Sequence, residues 1–198
     1  MRYGLLITGL ALGTILFFPE KSVTYGPGIV APDWPVQTNI TNGEKFPLNG
    51  YELTKLASMK ITARVLSKED YSYDRESDLA PIDLALGWRQ MSDETILDHF
   101  SISQGARWMN WTANFLPIPM QDVTRQSANM HMIPASDEIK DQLDDIYKGQ
   151  VVELTGFLIR ARASDGWRWS SSMSREDTGS HACEVFYVEQ IVVVKGND

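Results

Sequence analysis

Between Leu56 and Leu66 the chain alternates without a break. Ala57, Met59, Ile61, Ala63 and Val65 are apolar, and Ser58, Lys60, Thr62 and Arg64 stand between them. Only an extended strand puts every second side chain on one face, so this stretch predicts a half-buried β-strand. Gly105 to Phe115 repeats the pattern with Met109, Trp111, Ala113 and Phe115 on one side, and Pro117 and Pro119 end it. Three further strands are predicted near the C-terminus: Val151 to Arg162, Trp167 to Ser172, and Cys183 to Val194. The last is apolar on both faces and is expected deep in a sheet.

Helical signals are fewer. Ser136 caps a helix over 137–147, with Asp137 and Glu138 in its first turn, a stripe of Ile139, Leu143, Ile146 and Tyr147, and Gly149 as its stop. The apolar run LAPIDLALGW (79–88) reads as a short helix ending at Gly87, and Ser92 as the cap of a second one carrying Ile96 and Phe100. A strand, two short helices, a strand, a helix and three strands suit a β-rich α+β fold. The arrangement looks like a small barrel of the oligonucleotide/oligosaccharide-binding (OB) type, with a packed helix and a helical insertion. An open α+β sheet is the alternative.

Tyr3 to Phe18 is apolar and uncharged, directly behind Arg2. At 1.5 Å per residue it spans roughly 24 Å, slightly short of a bilayer core of about 30 Å. No A-x-A cleavage site follows, so an uncleaved anchor is favoured over a cleaved signal. The expected organisation is an anchor at 1–21, a linker rich in Pro and Gly at 22–50, and one globular domain at 51–198. The single cysteine, Cys183, rules out an internal disulfide. A buried thiol is the plain reading and an intermolecular disulfide the other. A formal charge of −8 argues against nucleic acid or anionic lipid as a partner.

Three places carry possible chemistry. Asp165-Gly166 signals a two-residue hairpin turn. Such a turn sets Arg162 opposite Trp169, and puts Arg160, Arg162, Trp167 and Trp169 on one face. Guanidinium over indole contributes about 0.5–1 kcal/mol at an exposed site, and the pair is typical of interface anchors. The polar stretch 171–183 offers Arg175, Asp177 and His181. Ser172 and Ser174 within it lack a Gly-x-Ser-x-Gly elbow. His131 lies between two methionines just before the capped helix, where it either holds a turn or acts as a base. Asp70, Asp74, Glu76, Asp78 and Asp83 crowd one segment but lack the spacing of a calcium loop, and read as a solvated acidic loop. No zinc spacing is present, and no metal or cofactor is expected.

Several segments together resemble a family of uncharacterised bacterial envelope proteins with a hydrophobic N-terminus and one exported domain. They are GPGIVAPDWP (26–35), ARVLSKEDYSYDRESDLAPIDLALGWRQMSD (63–93), ISQGARW (102–108), SANMHMIPA (127–135) and DGWRWSSSMSREDTGSHACE (165–184). The resemblance implies an envelope location and carries no activity.

The expected function is accordingly non-enzymatic. The domain would be tethered to the bacterial inner membrane, or released to the periplasm, and bind a protein, peptide or glycan. Arg160, Arg162, Trp167, Trp169 and Arg175 are its expected binding residues. The alternative is an envelope hydrolase using His131 with Asp177 or His181.

Overall fold

The computed structural model describes residues 21–174 and 183–196. The N-terminal apolar run therefore lies outside the described residues, as do Arg175, Asp177 and His181. Among the described residues no helix is long and apolar enough to cross a membrane.

Among the described residues ten strands form: β1 (Val36–Asn39), β2 (Lys45–Leu48), β3 (Tyr51–Asp70), β4 (Ile82–Gly87), β5 (Phe100–Gly105), β6 (Trp108–Ala113), β7 (Ser127–Pro134), β8 (Val151–Arg162), β9 (Arg168–Ser170) and β10 (Glu184–Lys195). Three α-helices accompany them among the described residues: α1 (Glu94–Leu97), α2 (Met120–Arg125) and α3 (Asp137–Asp144). The fold is β-rich and barrel-like. Strand β3 pairs with β4, β4 with β7, β7 with β10, β10 with β8, and β8 with β3 again, so the sheet closes on itself. Only β7–β10 is parallel; the other pairs in this circuit are antiparallel. Closure removes the open edges that a sheet would otherwise expose.

The alternating residues of β3 line the interior as expected. Ala57, Met59, Ile61, Ala63 and Val65 pack with Leu84, Leu86, Met130, Met132, Leu154, Leu158 and Phe186. Helix α3 adds Ile139 and Leu143 to this core, and its cap is Ser136, whose Oγ accepts from the Ile139 N–H at 3.3 Å. A bulge between Lys55 and Ala57 flips the alternation of β3. Tyr51 and Leu53 therefore face outward into a second cluster, with Ile133, Ile159, Ala161 and Val185. Gly156 lets β10 approach β8 closely: a Cβ there would stand 2.0 Å from the Tyr187 carbonyl oxygen.

Several elements differ from expectation. The run 79–88 contains strand β4, not a helix, and all six strand residues are buried. Ile82, Leu84 and Leu86 point into the barrel, while Ala85 packs outward with Met91, Ile118 and Val123. With both faces covered, no alternation marks it as a strand. Asp93, not Ser92, caps the single turn of α1; the Ser92 Oγ instead accepts from the Val30 and Ala31 N–H groups. The segment read as a linker carries β1 and β2, both paired with β3. The far end of β10 surfaces, leaving Val192 and Val194 exposed.

The hairpin after β8 also differs, with consequences for the site. The Gly166 N–H donates to the Ala163 carbonyl at 3.2 Å, and the Ala163 N–H to the Trp167 carbonyl at 3.0 Å. The turn thus has three residues, with Gly166 at φ 93°, the left-handed position such loops require. Arg162 pairs with Arg168 and Ala161 with Trp169. One added residue moves side chains to the other face. Trp167 and Trp169 therefore lie on the outer cluster, and Arg160 and Arg162 lie on the opposite face of the ribbon.

Candidate functional site

Residues 88–126, between β4 and β7, form an insertion that folds back over the outside of the barrel. Its hairpin β5–β6 turns at Ala106 and Arg107, both at positive φ (49° and 69°), as a two-residue turn demands. The Arg107 side chain reaches from this tip to the barrel wall. Its Nε and Nη2 donate to the two oxygens of Asp74, each at 2.7 Å. Its Nη1 donates to Asp83 Oδ1 at 2.8 Å and to the Ala80 carbonyl at 2.9 Å. The guanidinium lies 3.8 Å from the Tyr71 ring centroid.

Asp83 is fully buried on β4 and also meets His131 Nδ1 at 2.9 Å. In the tautomer whose Nδ1–H donates to this carboxylate, Nε2 is an acceptor. Nε2 has no hydrogen-bond partner among the described residues. The imidazole packs against Trp169, centroid to centroid at 4.9 Å, and Trp169 against Trp167 at 6.2 Å. Asn129, two residues before His131 on β7, donates to the Arg107 carbonyl at 3.1 Å and accepts from Gln104 Nε2 at 2.6 Å. Cys183 Sγ stands 3.9 Å from that same carbonyl.

His131 is thus a strand residue bound to Asp83, not a turn residue before the helix. The acidic segment is not simply solvated, because Asp74 and Asp83 hold Arg107. Sequence reasoning missed Asp83, Arg107 and Asn129 as site members. Two signals existed: a lone carboxylate inside the apolar run 79–88, and polar residues two apart in SANMHMIP.

The Arg107 hydrogen bonds hold the Asp74 carboxyl below its ordinary value of 3.8. A depressed folded pKa stabilises the protein above the unfolded value, and that stability is lost as pH falls through the folded one. The urea midpoint is therefore expected to drop between pH 5 and pH 3. The drop should be smaller in Asp74→Asn, whose side chain takes no proton. Equal drops in the two proteins would remove Asp74 from the acid response.

On the other face of the ribbon, Arg160, Arg162 and Arg168 stand together, with Arg162 directly opposite Arg168. Like charges in that position are destabilising. None of the three has a salt bridge among the described residues. The Nε atoms of Arg160 and Arg162 are buried without a hydrogen-bond partner. Glu52, opposite Arg162 on β3, is bound to Lys45 at 3.0 Å. At the turn, Arg75 bridges to Asp165 at 2.8 Å and covers Trp167 at 4.9 Å from its centroid.

No family model and no curated protein matches this chain. Among solved structures it is similar to the mitochondrial single-stranded DNA binding protein Rim1 from S. cerevisiae. The identity is 12%, the match covers 71% of this chain and 96% of that chain, and the TM-score is 0.25. Two expectations are not kept, the envelope module for a protein, peptide or glycan (with its hydrolase alternative) and the exclusion of nucleic acid; the neighbour found is instead a single-stranded DNA binding protein. The likeness is too slight to argue for a ligand of this chain. The exclusion also had a physical flaw, since net charge is a sum over the molecule and says nothing about three arginines gathered on one face of a ribbon.

Proposed function

We propose that the domain is an OB-type barrel that binds single-stranded nucleic acid along the β8–β9 ribbon. In chain order the closed circuit reads β3, β4, β7, β8, β10. Ligands of OB barrels use the face of the second and third strands and the loops after the first and fourth. Those correspond here to β4–β7, to the segment holding Tyr71, Asp74 and Arg75, and to the segment holding Trp167, Arg168 and Trp169.

The observation that carries the reading is the division of the ribbon. It has arginines without a salt bridge among the described residues on one face and indoles on the other. Among the described residues strand β9 pairs with β8 and with no other strand. A single strand along the other edge of β9 sets phosphates toward Arg160, Arg162 and Arg168, and bases toward Trp167 and Trp169. Stacking on an aromatic side chain contributes about 1–3 kcal/mol per base. The acidic remainder of the surface repels the strand and confines it to the ribbon.

The test is the salt dependence of binding between the full chain and a labelled single-stranded oligonucleotide. Three phosphate contacts predict a slope of log K against log salt of about −2, at about −0.7 per contact. Arg168→Gln should weaken binding and flatten that slope by about 0.7. Absence of binding, or an unchanged slope in Arg168→Gln, would overturn the assignment.

A further inference from the structure

We infer that the insertion 88–126 shortens the bound strand to a footprint of no more than about four nucleotides, the lower limit of the range that single OB folds occupy. This rests on the nucleic-acid reading above and adds the length of strand that the site accepts. On an open OB barrel the strand continues from the loops across the face of the second and third strands. Here that face is β4–β7, and the insertion already lies on it. Ala85 of β4 is fully buried, in one cluster with Met91, Ile118 and Val123 of the insertion. Asp83 and Asn129, the next outward positions on β4 and β7, bind Arg107 and Gln104 of the β5–β6 hairpin.

The hairpin tip is fastened rather than resting. Four hydrogen bonds hold the Arg107 guanidinium, and its backbone N–H donates a further one to the Tyr71 hydroxyl at 3.0 Å. Moving the tip aside would leave Asp83 buried without its cation, a cost that stacking of a few bases does not offset. A strand leaving Trp169 toward β4 therefore meets the hairpin and must end or turn away. The ribbon itself, a short edge strand with three arginines, has room for only a few nucleotides.

The experiment titrates the full chain against labelled oligo-dT of two, four, eight and sixteen nucleotides at one fixed salt concentration. Each affinity is divided by the number of registers that the strand offers. The per-register affinity should level off by four nucleotides and stay within about threefold up to sixteen. A tenfold or greater per-register gain between four and eight would overturn the short footprint and leave the nucleic-acid reading standing. No binding at any length would overturn that reading and the footprint with it.

Discussion

Arg107→Ala is expected to lower the unfolding free energy by about 3–5 kcal/mol, because it strips the cation from a buried carboxylate. Asp83 is fully buried, and the Asp74 side chain is only 23% exposed. Water can therefore solvate little of the charge that the substitution leaves behind. The loss is large against a typical total of about 5–15 kcal/mol. It also reaches beyond the pair, because the guanidinium spans three parts of the chain: the β5–β6 tip, strand β4 and the segment before it. Removing it frees the insertion from the barrel and the Asp83–His131 contact from its counter-charge. Arg107→Lys keeps the charge but cannot make the two-pronged bond to Asp74, so it should recover only part of the loss. Urea denaturation of the three proteins measures both effects. A cost under about 1 kcal/mol for Arg107→Ala would place this cluster among weak surface pairs.

The elements that could be read from the sequence are those exposed to water on one side. Strand β3 declares itself by alternation because Ser58, Lys60 and Thr62 keep its outer face polar and open to water. Helix α3 declares itself by its cap, its acidic first turn and its apolar stripe. Strand β4 does not, because the barrel covers one face and the insertion the other, and a continuous apolar run of six suits helix and strand alike. The segment 127–134 failed for a related reason. Its methionines point into the barrel while Asn129 and His131 enter an outer polar network that the sequence cannot display. Pairing of β4 with β7, and the fold-back of the insertion between them, brings together Asp74, Asp83, Arg107, Asn129 and His131, which come from four separate stretches of chain.

The ribbon shows how one residue of turn length rewrites a site. The residues Arg160, Arg162, Trp167 and Trp169 were legible as a group, and the structure keeps them on one hairpin. The third loop residue then divides them between faces. A stacked Arg/Trp surface becomes a two-sided edge, with charge on one side and rings on the other. That division gives the site its proposed ligand, because a nucleic acid strand carries the same separation of phosphate and base.

Trp88→Ala should be comparably severe, at about 3–5 kcal/mol, for a different physical reason. Trp88 is fully buried and belongs to the barrel core with Ala31, Leu86 and Val65. It also stands where the insertion leaves β4. Its backbone N–H donates to the Gln126 carbonyl at 2.9 Å, which ties the start of the insertion to its end. Truncation to alanine leaves a cavity at this junction that the closed sheet cannot collapse to fill. The indole carries a weakness of its own, since its Nε1 is buried without a hydrogen-bond partner. An unsatisfied buried donor costs about 1–3 kcal/mol. Trp88→Phe deletes that donor along with part of the ring, so the two effects oppose each other, and it should cost far less than alanine. Thermal or urea unfolding of the two variants separates the contributions: similar losses for phenylalanine and alanine would mean that filled volume does not govern this position.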